Sequence, residues 1–321
     1  MSSDNALRYP EGAQGHVESH FLKANSPCGR RALWIKFTSL LPQRVAELWA
    51  IAFADGGREK RALKLSFPLE AQRYQAEPFH LGLPQGELTC DQTRGDLGAL
   101  RWELRYEARS PAFQPYPLAA MYRGPFPRSK SLTPNPDARF HGWFEAFGER
   151  WDVRDWRGCQ GHNWGPSHAH AYAWAHSNVL SERPDGAPLE GAWIEALTGR
   201  VRLGRVILPW LSVAGITLDG ALIRFAGPRA IAARSVSVDL RSYRFTLRQG
   251  RSRLEAQFEA DAFAGLRYLD PDGAQLSCLN SKLASGRITL EHQGRQRVLY
   301  THQAALEIGT REPAHGVALL A

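Results

Sequence analysis

Little in this sequence points to chemistry held by sulfur, metal or nucleotide. The four cysteines, Cys28, Cys90, Cys159 and Cys278, are scattered without a CxxC pair, which excludes a zinc ribbon and a dithiol redox motif. There is no phosphate-cradling glycine loop, dinucleotide fingerprint or HExxH. Gly161 to Gly165 has the outer glycines of a nucleophile elbow, but Asn163 stands where the serine would be. Neither a cofactor nor a metal is expected. Long apolar runs are missing as well. The longest uncharged run, Val206 to Leu218, is broken by Pro209 and Gly215 and falls short of the ~18 to 20 residues a membrane helix needs. The start lacks a basic segment followed by an apolar stretch, so no secretory signal is read and a cytoplasmic protein is expected.

Charge of one sign is not concentrated anywhere. The formal net charge is +8, yet no like-charge block exceeds Arg30-Arg31 or the Arg58 to Arg61 turn, which also holds Glu59. A nucleic-acid binder would show a basic stripe with interleaved aromatics, so no nucleic-acid partner is expected. The basic surface and the Val206 to Leu218 run would suit transient contact with a membrane surface.

What is present is material for a large β core: 43% apolar residues and ten tryptophans in 321 residues. Short apolar segments recur between turn signals, the mark of sandwiches and barrels. Strands are expected at 31–38, 61–67, 100–106, 138–147, 150–156, 170–179, 191–198, 221–225, 236–247, 254–260, 286–291 and 297–301. Asp55-Gly56, Asp185-Gly186, Asp219-Gly220, Asp272-Gly273 and Gly148-Glu149 supply hairpin turns. Val45, Leu48, Trp49, Ala52 and Phe53 have helical spacing, but the glycine turn after them and the partner segment beyond favour a strand. Seven prolines between Pro111 and Pro136 argue against a central strand and for a long surface crossover forming a lid or site wall. Met1 to Gly12 reads as a loose polar tail.

The densest chemistry lies between Gly158 and Asn178. From His168 to Asn178 the even positions are His168, His170, Tyr172, Trp174, His176 and Asn178, while the odd positions 169 to 175 are alanine. In a strand the even side chains share one face, so that face would line a cavity and the alanines would meet a neighbouring sheet. Trp193 and Glu195 share a face of the next strand. A carboxyl among such rings is desolvated, which raises its pKa and suits a general acid. The plainer readings are that His162 and Asn163 satisfy backbone groups, that the tryptophans are core, and that Glu195 sits in an ion pair. His168-x-His170 with His176 could hold a metal but lacks an obvious acidic ligand. Lys282 reads more readily as an exposed strand-end lysine.

Glu18-Ser19-His20-Phe21-Leu22-Lys23-Ala24-Asn25 and Leu33-Trp34-Ile35-Lys36-Phe37-Thr38, then Gln160-Gly161-His162-Asn163-Trp164-Gly165 and Cys278-Leu279-Asn280-Ser281-Lys282, resemble a carotenoid 1,2-hydratase-like group. The Asn-Trp-Gly part also resembles tocopherol cyclases. The resemblance spans nearly the whole chain. It implies an all-β fold of two lipocalin-like barrel or sandwich domains, placed here at 1–165 and 166–321, with the site near their junction. It also implies a His-x-Trp pair and an aromatic-x-acid pair that hydrate an isoprenoid double bond. His162 and Trp164 match the first pair. Trp193 and Glu195 stand for the second, where the hydratases have Tyr-x-Asp. The expected catalytic residues are therefore Glu195, His162 and Trp164. Asn163, Tyr172, Trp174, His176, Trp193 and Asn280 are expected to bind a hydrophobic small molecule. The reaction class is acid-initiated hydration, cyclisation or isomerisation of an isoprenoid or polyketide-like alkene. The alternatives are a carrier or sensor of lipocalin type, or an interaction protein.

Overall fold

The computed structural model describes residues 2–9, 15–232 and 235–321. About three-fifths of it is antiparallel strand and very little is helix. The first part of the chain forms β1 (His16–Asn25), β2 (Ala32–Leu41), β3 (Val45–Ala54), β4 (Glu59–Pro68), β5 (Arg73–Gln75) and β6 (His80–Leu83). It continues with β7 (Gly86–Thr89), β8 (Gln92–Asp96), β9 (Arg101–Ala108), β10 (Lys130–Ala146) and β11 (Glu149–Gly165). These make one eleven-stranded sheet in the order β4-β3-β2-β1-β11-β10-β9-β8-β7-β6-β5.

The remainder forms β12 (Ala171–Ser177), β13 (Trp193–Arg200), β14 (Arg202–Leu203), β15 (Val206–Ile207), β16 (Leu211–Leu218) and β17 (Ala221–Phe225). After these come β18 (Val236–Val238), β19 (Ser242–Gln249), β20 (Ser252–Glu259), β21 (Ala264–Leu269), β22 (Gln275–His292) and β23 (Arg295–Thr310). The second sheet runs β17-β16-β13-β12-β23-β22-β20-β19-β18, with β21 paired to β22 and β14-β15 as a separate ribbon. The architecture is two antiparallel β units of barrel or sandwich type.

Each sheet curls around its own core. Leu22, Ile35 and Leu48 meet Phe79, Trp102 and Phe140 inside the first, and Ala173, Ile194 and Ile216 meet Tyr243, Phe258 and Leu306 inside the second. A third cluster lies between the sheets, where Phe21, Trp34, Trp49 and Cys159 pack on Trp174, Tyr268, Cys278 and Ala305. The strands at this seam are therefore buried on both faces, and β1 has no exposed residue. Two-sided burial erases the apolar-polar alternation of a half-exposed strand. That explains why 45–53 carries helical spacing yet forms β3. It also hides β1, which periodicity alone does not mark as a strand.

Five sequence expectations need correction. Pro134 and Pro136 lie inside β10, an interior strand between β11 and β9. They are tolerated because the ladder to β11 slips register between Leu132 and Asn135 and again between Asn135 and Ala138, while pairing with β9 starts only at Ala138. The missing N–H groups thus fall at bulges. The expected strand 236–247 is two strands, because the Asp239 side chain accepts hydrogen bonds from the Arg241 and Ser242 amides and turns the chain. The turn before β11 is Phe147-Gly148, both at positive φ, one residue earlier than expected. Asp185-Gly186 lies in the long β12–β13 connection and does not form a tight hairpin. Residues 2–9 are also not loose: Ser2–Asn5 is a helical turn and Asn5 is buried. Met1 and 10–14 lie outside the described residues. By contrast, Asp55-Gly56, Asp219-Gly220 and Asp272-Gly273 all turn hairpins as expected.

The β1–β11 pairing tolerates no side chain at Gly158, where a Cβ would stand 1.9 Å from the Lys23 carbonyl oxygen. Gly158→Ala is expected to cost about 3 kcal/mol or more, read as a lowered urea midpoint.

Candidate functional site

Between the sheets, beside the aromatic seam, lies a cavity of about 560 Å³. That volume suits a lipid- or drug-sized molecule. Strand alternation decides what faces it. Ser19 and Phe21 of β1, Trp34 and Lys36 of β2 and Asn163 of β11 come from the first sheet. Tyr172 and Trp174 of β12, Leu197 of β13, Tyr268 of β21 and Glu307 of β23 come from the second. Tyr172 lies flat over Gly309, where any Cβ would stand 2.0 Å from its ring. The 109–129 connection contributes Tyr116, Met121, Phe126 and Arg128, so the proline-rich passage does wall the cavity, as expected of its first part. Phe126 is partly exposed there, with Leu118 in the same loop and Val206 and Ile207 on the β14-β15 ribbon.

The seam holds three buried lysines. Lys23 donates to Asn25 Oδ1 at 3.0 Å, and Lys282 pairs with Glu307 Oε1 at 2.7 Å. Lys282 is thus fully buried, contrary to the strand-end reading. Lys36 Nζ sits 3.6 Å above the centre of the Tyr268 ring. Burial pushes both Lys23 and Lys36 down to about 8. Each is protonated at 10.5 when unfolded, so at neutral pH each costs the fold on the order of 3 kcal/mol, a cost removed only as pH rises through 8 to 10.5.

Glu195 is buried at the same seam. Thr133 Oγ1 approaches both its carboxyl oxygens, at 2.8 and 2.7 Å, and the Trp174 side chain also hydrogen-bonds to it. Burial outweighs those bonds and raises its pKa to about 7. Glu195 does not itself line the cavity; its partner Trp174 does.

His162 and Trp164 stand on the opposite face of β11 from Asn163, inside the first sheet. His162 Nε2 lies 2.7 Å from Glu18 Oε1 and Nδ1 lies 2.8 Å from the Asp4 carbonyl oxygen. Glu18 also accepts from His16 at 3.0 Å and from the Arg8 amide. His20 stacks on His162 at 4.0 Å and reaches the Asn5 carbonyl. Burial alone would raise Glu18, but the His16 and His162 hydrogen bonds prevail and hold it at about 2. Burial, with the His162 charge, lowers His20 to about 3. Glu18, His20 and His162 could in principle ligate a metal, their donor atoms lying within 4.8 Å. Those atoms instead hold one another and the 2–9 segment, which pins the N-terminus over the sheet's inner face.

The expected site residues therefore divide. Asn163, Tyr172 and Trp174 line the cavity. Glu195 is one side chain behind it, and Asn280 is buried beside it, donating to Glu307 Oε1 at 3.0 Å. Trp193 is buried against Phe113 and does not line the cavity. His176 donates Nε2–H to the Pro136 carbonyl at 2.8 Å. His168 pairs with Asp270 at 2.7 Å, so the His168, His170 and His176 grouping is not assembled as a ligand set. No hydrogen bond or ion pair among the described residues joins His162 or Trp164 to Glu195. Sequence reasoning missed Lys36, Tyr268 and Glu307 in the wall and Glu18 as the acid beside His162. Parity held the signal: Trp34 and Lys36 share a face, as do Glu18 and His20.

The fold defines a protein of two antiparallel β-sheets with a cavity between them. No family model matches the chain. An uncharacterized protein found in two strains of Mycobacterium tuberculosis is 25% identical over 319 residues, covering 96% of this chain and 92% of its own. Among solved structures, CghA with Sch210972 superposes with a TM-score of 0.61 at 11% identity, over 92% of this chain and 89% of that one. Kievitone hydratase from Nectria haematococca gives 0.55 at 8% identity, with the same shares covered. A provisionally named AttH protein from Nitrosomonas europaea gives 0.51 at 14% identity, over 95% and 97%. These likenesses are ones of fold.

The buried imidazoles set the acid stability. His20 and His176 bind protons less readily folded than unfolded, so stability is full above their ordinary value of 6.5 and falls below it. Glu18 adds to the loss below 4.5, while Glu195, protonated more readily when folded, partly offsets it between 7 and 4.5. Urea midpoints are expected to fall steadily from pH 6.5 to 4. His20→Gln should remove about 1.4 kcal/mol per pH unit of that slope.

Proposed function

We propose that this chain is an enzyme that takes a hydrophobic unsaturated molecule into the cavity between its sheets and protonates it, leading to hydration, cyclisation or isomerisation. The observation that carries this reading is a buried carboxyl, Glu195, held near pH 7 and hydrogen-bonded to Trp174, a residue of the cavity wall. A carboxylic acid with that pKa is substantially neutral at physiological pH and recovers its proton readily. Rotation of the Trp174 indole would bring the Glu195 O–H to the ligand.

Proton transfer from Glu195 to an alkene carbon leaves a carboxylate and a carbocation. The ring faces of Trp34, Tyr172 and Trp174 offer that cation about 1 to 2 kcal/mol each through cation–π attraction in a dry site. Capture by water, with the displaced proton returning to Glu195, gives a hydratase. Capture by an internal hydroxyl gives a cyclase, and loss of a neighbouring proton gives an isomer. On this reading His162 and Trp164 are positioning residues that fix β11 and the N-terminal segment, and Asn163 is the residue of their motif that meets ligand. The fold shared with kievitone hydratase and CghA is consistent with this chemistry without supplying a substrate.

A second reading, a carrier that binds without transforming, is favoured by one fact: Glu195 is not itself exposed in the wall. Native mass spectrometry with lipid extraction, on protein from its own cells, would name the ligand. With that molecule, Glu195→Gln is expected to keep binding and lose at least 100-fold in kcat. The wild-type rate should fall tenfold per pH unit above about 7, as Glu195 loses its proton. Recovery of the same molecule unchanged after prolonged incubation would establish the carrier instead.

A further inference from the structure

Lys36 has no part in the chemistry above, yet its ammonium group is built into the cavity wall. It is only 6% exposed. Among the described residues its Nζ makes no hydrogen bond or ion pair, and its neighbours are the faces of Tyr268 at 3.6 Å, Trp34 at 5.8 Å and Trp49 at 6.0 Å. The carboxylates whose charge reaches it are committed elsewhere: Glu307 to Lys282 at 2.7 Å and Glu47 to Lys64 at 3.3 Å. Lys23 and Lys282, the other buried amines of the seam, each have an oxygen partner. The Lys36 Nζ opens onto the cavity, where an ammonium with no protein acceptor can receive one from a ligand.

We propose that Lys36 receives an oxygen anion, a carboxylate or ionised enol, on an otherwise hydrophobic ligand. This rests on the reading that the cavity holds a hydrophobic small molecule, and it adds the polar group that such a molecule carries. The surroundings fit an amphiphile. Phe21, Trp34 and Trp174 supply ring surface for a hydrocarbon body, and the Lys36 amine supplies the charge that orients it. Three donors on one Nζ can hold both oxygens of a carboxylate. Binding an anion there would also return to Lys36 the protonation that burial opposes.

The test uses the full chain and two probes that differ only at the head: cis-parinaric acid and its methyl ester, at pH 7. Energy transfer from the protein's tryptophans, Trp34 and Trp174 of the cavity wall among them, reads binding directly. The acid is expected to bind at least tenfold more tightly than the ester, and Lys36→Met is expected to abolish that preference while retaining ester binding. Equal affinity for acid and ester in the wild type would overturn the proposal without recourse to any variant, as would a preference that survives in Lys36→Met. Binding of neither probe, with no displacement by them of the ligand extracted from cells, would count against the hydrophobic cavity itself.

Discussion

Everything distinctive in this molecule follows from packing two curled sheets back to back. Each sheet already owns an apolar core, so the faces that meet at the seam are second faces, and β1, β3 and the 304–309 stretch of β23 have little or no solvent to turn toward. Polar side chains on those faces must find partners across the seam. Asn25 donates to the Lys282 carbonyl at 2.6 Å, Asn178 reaches both Asp137 and the Gly158 carbonyl, and His176 reaches the Pro136 carbonyl. These bonds tie irregular stretches of one sheet to regular strands of the other. The proline bulges of β10 belong to the same economy of groups. A register slip frees the Pro136 carbonyl from the ladder, and the second sheet uses it.

The all-β class was legible because turn chemistry is local. Asp-Gly pairs announce hairpins whatever the flanking strands pack against. What was not legible was any feature that depends on a second layer. Two-sided burial turned β3 into an apparent helix and left β1 unmarked. Prolines that normally bar a strand from a sheet interior sit at bulges that only the partner strands define. The tail at 2–9 looked loose because nothing in its own composition shows that His20, His162 and Glu18 will grip its backbone.

The candidate site was legible in parts, and the division follows strand parity. His162, Asn163 and Trp164 are adjacent in sequence, and a motif invites one role for all three. In a strand, neighbours face opposite ways. Asn163 therefore joins the cavity while His162 and Trp164 turn into the first sheet, where Glu18 meets them. The same rule makes Trp34 and Lys36 cavity residues, and makes Tyr172 and Trp174 their counterparts. Reading the motif by face, and not by proximity, would have separated the cavity from the first sheet's interior in the sequence alone. Glu307 had no such marker, since its strand was read only as far as residue 301.

The seam also explains why an acid and an amine of unusual character occur together. Removing water disfavours whichever form is charged, so the same packing lifts Glu195 and depresses Lys36 until both titrate within about a unit of neutrality. In the proposed complex the ligand's anionic charge favours the ammonium form of Lys36, while Glu195, desolvated behind Trp174, keeps its own proton near neutral pH.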